Sequence, residues 1–166
     1  MPSDLELAWT AGLFDGDGCI TLARTGRAFG RPVIAVDTTD PEIHAELCRL
    51  YGGSIVTKRK VREHHRQAWS WRIYGADQIL DLLAKILPYM RCAIKLERGR
   101  MLLAEYRQLT PRNGFYTPEM RAQKLDFEHR FMAVGAGRGS QCRAEDEGVE
   151  PSGVTPARLS RPVAHH

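Results

Sequence analysis

Apolar residues recur at helical spacing close to the start of the chain. Leu5, Trp9 and Leu13 fall at i, i+4 and i+8, and Ser3 or Asp4 stands ready as a cap, so residues 4–15 are predicted to form a helix. Ala8, Ala11, Gly12 and Asp15 make a second stripe of mostly small side chains on that helix. Glycine inside a helix costs roughly 1 kcal/mol relative to alanine, so Gly12 implies a close packing partner. Gly16-Asp17-Gly18 ends the helix. Ile20 and Leu22 then alternate with Thr21 and Ala23, which predicts a strand over 19–24. After a turn at 25–30 comes a second strand, 31–38, containing Val33-Ile34-Ala35-Val36, and the two form a hairpin.

Asp40-Pro41-Glu42 opens a helix with proline at its first position, Ile43, Leu47 and Leu50 form its core face, and Gly52-Gly53 stop it. A second hairpin is predicted from strands 54–60 and 68–74. In the latter, Trp69, Trp71 and Ile73 share the core face while Ser70 and Arg72 share the other, toward a ligand. Helices follow at 76–87, 92–109 and 118–132. From Val134 the chain is rich in Gly, Ser, Pro, Arg and Glu, which predicts a disordered tail over 134–166 after a folded domain of 1–133. The order helix, hairpin, helix, hairpin, helix defines an α+β fold. Four antiparallel strands make one sheet with the helices on one face.

Charge gives the other face a role. Segments 18–36 and 54–74 together carry a net charge of +8, whereas the rest of 1–133 carries −4. A basic sheet face beside an acidic remainder is what a phosphate-binding surface requires, and a two-stranded ribbon fits the DNA major groove. Arg24, Arg27, Arg31, Lys58, Lys60, Arg62, Arg66, Ser70 and Arg72 are the candidate DNA contacts. No apolar run nears the ~20 residues of a membrane span. The start of the chain has no signal-peptide pattern, so a cytoplasmic or organellar location is expected. The four cysteines form no C-x-x-C pair, which argues against a zinc knuckle or a disulfide framework. His64-His65 read as surface residues. No small-molecule substrate is expected.

Thr10-Ala11-Gly12-Leu13-Phe14-Asp15-Gly16-Asp17-Gly18 carries the chemistry. A calcium loop is excluded because no Glu completes the twelve-residue spacing. The string resembles the signature of the LAGLIDADG homing endonucleases, with Thr10, Phe14 and Gly16 as departures. The downstream order also resembles that family: hairpin, Thr39-Asp40-Pro41-Glu42, Gly52-Gly53, hairpin, then a helix before Leu87-Pro88-Tyr89. The resemblance spans about residues 5–110.

What the resemblance implies is a Mg²⁺-dependent, site-specific DNA endonuclease of the single-motif type. Asp17 would hold the divalent cation, helped by the Gly16 carbonyl. Two copies would pack through the first helix at Ala8, Ala11, Gly12 and Asp15, giving a homodimer on a long, nearly palindromic site. Double-strand cleavage would leave short 3′ overhangs. A basic catalytic residue is expected at Lys95 or Arg91, and a polar water-positioning residue at Thr38 or Asp37. Thr38 has a competing role, as part of the cap of the next helix. The alternative function is a non-cleaving DNA- or RNA-binding protein of the same fold, such as an intron maturase or a regulator.

Overall fold

The computed structural model describes residues 1–24, 26–60 and 66–136. Helix α1 spans Asp4–Gly16. Ser3 opens it with a reciprocal pair: its hydroxyl accepts the Glu6 backbone N–H, and its own N–H donates to the Glu6 carboxylate at 2.7 Å. Arg49 donates to the same carboxylate from helix α2 (Pro41–Tyr51). The Ser3 amide and Arg49 hold the Glu6 carboxyl down to about 2.

Strands β1 (Gly18–Ala23), β2 (Arg31–Thr38), β3 (Ser54–Thr57) and β4 (Trp69–Ile73) form one antiparallel sheet in the order β1-β2-β4-β3. The central pair therefore joins the two hairpins. Ile20, Ile34, Val36, Trp71 and Ile73 line the core face, where they meet Phe14 of α1, Leu47 of α2 and Ile79 and Leu83 of helix α3 (Ala76–Ile86). Phe14 stands edge-on to Trp71, with ring centroids 6.3 Å apart. Expectation and structure agree on this α+β layout.

Several boundaries move for local reasons. The expected strand 54–60 stops at Thr57, which faces Trp69, the first residue of β4; one further bond, from the Lys58 N–H to the Ala68 carbonyl, continues the ladder. On α2, His44 is fully buried, whereas Leu50 is only partly covered. The predicted helix 92–109 is broken into α4 (Ala93–Met101) and a wider π-helical turn over Leu102–Tyr106, whose end residues are both buried. Helix α5 spans Pro118–Ala133, with the Thr117 side chain accepting the Met120 N–H.

Arg98 of α4 closes one edge of the sheet. Its guanidinium donates to the Ile20 carbonyl of β1 at 3.2 Å and to the Val134 carbonyl at 2.9 Å, and it lies over the Phe131 ring. An unpaired edge carbonyl is thereby satisfied. Val134, within the expected tail, packs on the core. Residues 137–166 of the expected tail, together with Arg62 and His64-His65, lie outside the described residues.

Candidate metal and nucleic-acid interface

Asp17 caps the C-terminus of α1, its N–H donating to the Leu13 carbonyl at 2.9 Å. Gly18 must follow it. A Cβ there would lie 2.5 Å from the Phe14 Cα, which is backbone and cannot give way. The missing side chain lets β1 start directly beneath the helix end, and it fixes Asp17 at the junction. The Asp17 carboxylate is exposed and makes no hydrogen bond or ion pair among the described residues.

Three expected site residues converge on this corner. The Lys95 ammonium donates to the carbonyls of Phe14, Asp15 and Gly16, at 2.7, 2.9 and 3.1 Å. It therefore caps the negative end of the α1 dipole from the neighbouring helix α4. The Asp15 carboxylate turns the other way and accepts the backbone N–H groups of Arg91 at 2.6 Å and Cys92 at 3.0 Å, at the start of α4. Arg91 folds its guanidinium onto the Met90 carbonyl. Asp15 is thus a structural tie rather than an outward-facing residue.

The outward stripe of α1 differs from the expected one in two places. Ala11 is 0% exposed within its own chain and Asp15 is engaged inward, so neither presents a free side chain for packing between copies. Leu5, Ala8, Trp9, Gly12 and Gly16 face outward instead, at i, i+3, i+4, i+7 and i+11. A Cβ at Gly12 or Gly16 would meet nothing within 4 Å. Nothing in the folded chain itself requires glycine at either position.

Thr38 falls on the core side of β2 by alternation, and its hydroxyl accepts the Asp40 N–H at 3.1 Å in the turn before α2, the helix-cap arrangement that competes with a water-positioning role. Its neighbour Asp37 lies on the open face. There it pairs with Lys58 at 2.6 Å. Burial pushes the Asp37 carboxyl up, but hydrogen bonds from Lys58 and Ser70 outweigh that and hold it below the usual carboxylate range.

Register sorts the basic residues. Asp37 faces Ser70, and Ser70 faces Val56; Ala35 faces Arg72, which faces Ser54. Arg31, Lys58 and Arg72 therefore share the open face. Ser70 lies on that face too, yet is 0% exposed, and its hydroxyl accepts the Arg72 Nε–H at 3.0 Å. It is a buttress beneath Arg72, not a free ligand contact as expected. Arg27, Lys60 and Arg66 are exposed. Arg24 departs from the expectation: it shares the parity of Leu22, on the helix side, and forms an ion pair with Glu128 of α5.

Sequence reading missed Glu128 and Lys124. Both are buried, Lys124 over the Tyr106 ring and donating to the Thr110 hydroxyl at 2.8 Å. The available signal was their spacing: two charges at i and i+4 framed by Phe127 and Phe131. Among the described residues no three His, Cys, Asp or Glu side chains gather to hold a metal. Any cation at this corner has the exposed Asp17 carboxylate and the Gly16 carbonyl, hard oxygen donors of the kind Mg²⁺ prefers.

A family model for a LAGLIDADG-like domain matches residues 4–87, just over half of the chain, and the chain belongs to that family. No curated protein matches. Solved structures with the same fold include the homing endonuclease I-CvuI, in complex with the I-CreI target in the presence of Mg with the DNA not cleaved. It is 21% identical, with a TM-score of 0.63, and the match covers 82% of this chain and 85% of that one. The archaeal intron-encoded homing endonuclease I-Vdi141I, complexed with DNA, is 10% identical, with a TM-score of 0.54 and coverage of 78% and 83%. The homing endonuclease I-TnaI is 18% identical, with a TM-score of 0.53 and coverage of 77% and 88%. Among the described residues no helix is long and apolar enough to cross a membrane.

Proposed function

We propose that this chain is a site-specific, divalent-metal-dependent DNA endonuclease that works as a homodimer on a nearly two-fold symmetric site. The observation that carries the reading is Asp17: an exposed carboxylate without a partner among the described residues, fixed at the α1–β1 junction at the end of an outward stripe of small residues. Two α1 helices meeting through Ala8, Gly12 and Gly16 bring two such carboxylates to one axis. Leu5 and Trp9, 84% and 41% exposed, flank that stripe with the apolar surface a permanent interface buries.

The open sheet face supplies the DNA contact. Arg31, Lys58 and Arg72 stand on it, with Arg27, Lys60 and Arg66 at its turns. Side chains in the turns neutralise phosphates, and those on the strands reach base edges. Asp17 and the Gly16 carbonyl would hold Mg²⁺. When bound, the ion supplies charge neutralisation at the scissile phosphate and a more acidic water. Lys95 keeps the carbonyls at the end of α1 aligned and adds positive charge beside Gly16.

One observation favours a second reading, a DNA-binding protein that does not cut. All three ammonium protons of Lys95 are engaged by backbone carbonyls, which leaves no donor for a phosphate. Selection of cleaved sites from a randomised duplex library, with Mg²⁺ and with chelator, decides between them. Cleavage that needs Mg²⁺ and disappears in Asp17→Asn supports the nuclease; binding without cleavage supports the second reading.

A further inference from the structure

The family match ends at residue 87, yet α5 reaches back to the first hairpin. The Glu128 side chain is 3% exposed. One carboxylate oxygen accepts the Gly30 backbone N–H at 2.6 Å; the other takes the Arg24 guanidinium. Arg24 and Gly30 flank the connection between β1 and β2, so one carboxylate fastens both ends of that turn from beneath. Just ahead of α5, Tyr116 packs at a tilt against Phe29, with centroids 4.6 Å apart. Gly30 is shaped for the contact: a Cβ there would lie 2.9 Å from the Leu22 Cβ and 3.5 Å from the Glu128 carboxylate.

Burying a carboxylate is costly, and replacing buried ion pairs with apolar packing is often neutral or stabilising. Stability alone is therefore a weak reason for Glu128. Its position suggests a better one. Arg27 lies within the fastened turn and Arg31 is the first residue after Gly30, and both are exposed. We propose that Glu128 is a positioning residue for DNA binding: it sets the β1–β2 turn so that Arg27 and Arg31 meet the duplex, and it withholds Arg24 from phosphate. This rests on the DNA-binding reading above.

The test measures affinity for a random-sequence duplex across a salt series. Each phosphate contact contributes about 0.9 to the slope of log affinity against log salt. Arg27→Met should flatten the slope by about that amount, whereas Arg24→Met should leave it unchanged. Glu128→Gln gives Gly30 a weaker, neutral acceptor and frees Arg24, so its slope should steepen by about one contact and its preference for the selected site over random DNA should fall. Adding Arg24→Met to Glu128→Gln should restore the slope. Amide hydrogen exchange should quicken at residues 26–30 in Glu128→Gln while the β2–β4 ladder stays protected.

An Arg24→Met slope that flattens like that of Arg27→Met overturns the proposal, as does a folded Glu128→Gln with unchanged slope and exchange. If Glu128→Gln does not fold, the Arg24→Met comparison decides alone. A wild-type chain without DNA affinity sinks the functional reading instead, and the exchange measurement still decides whether Glu128 sets the turn.

Discussion

The ammonium of Lys95 and the carbonyl of Gly16 meet at 3.1 Å, so the residue expected to serve catalysis closes the end of α1. Lys95→Met removes the donor for three carbonyls at once. Leaving polar groups of this kind unpaired costs about 1–3 kcal/mol. Urea unfolding should show a loss in that range with an unchanged m-value; an unaltered midpoint would mean that the three bonds contribute nothing.

The two acidic residues of the signature separate in the same assay. Asp15→Ala orphans the Arg91 and Cys92 amides and should lower stability by about 1–3 kcal/mol. Asp17→Asn breaks no bond among the described residues and should leave the unfolding midpoint in place. Cleavage should follow the opposite order, with Asp17→Asn inactive and Asp15→Ala active below its melting temperature.

Gly12 has open space around it within the chain. Gly12→Ala should add up to about 1 kcal/mol to the folding of an isolated copy. Gly12→Leu should fold, yet sediment as a single copy where wild type sediments as a pair. A Gly12→Leu chain that still dimerises would remove α1 from the interface.

Arg72 is braced by Ser70 at its Nε, which leaves both terminal nitrogens for a two-pronged contact with guanine. Arg72→Ala should relax base preference at one position of each half-site by about 1–3 kcal/mol and leave the other positions alone. Deep sequencing of cleaved or bound library members reads this directly. Uniform weakening across all positions would make Arg72 a phosphate contact.

Burial pushes the Lys124 ammonium from 10.5 down to about 8. Between those values the unfolded chain holds the proton and the folded chain has released it, so stability rises with pH across the window. Below about 8 both states are protonated and the folded state bears the whole cost of the buried cation, up to about 3 kcal/mol. Burial holds the Tyr106 phenol above 10, so its opposing effect begins only beyond that value. Melting temperatures between about pH 8 and 9, below the range where the partly buried Cys48 thiol opposes the trend, should climb for wild type and stay flat for Lys124→Met.

The sheet and the signature helix were legible because their information is local. Alternation along 31–38 and the Gly16-Asp17-Gly18 break can be read without knowing what lies nearby. Ala11 and Gly12 could not be separated that way, since both are small; only packing shows that Ala11 enters the core while Gly12 looks out. Arg24 counts among the DNA contacts by charge alone, because a shift of one residue exchanges the two faces of a strand and the pattern beside a turn does not fix it. The same one-residue ambiguity separates Thr38 from Asp37, which only the register places on opposite faces. Lys95 reads as a solvated charge until α4 is laid against the end of α1. The spacing of Glu128 can hint that it is buried, but not what it holds, since its partners lie about a hundred residues away.

Arg98 grips the carbonyls of Ile20 and Val134 together, so a single side chain of α4 staples the end of α5 to the first strand. The strand that follows the signature helix and the last helix thus share one clasp, and a displacement of either is felt by the other.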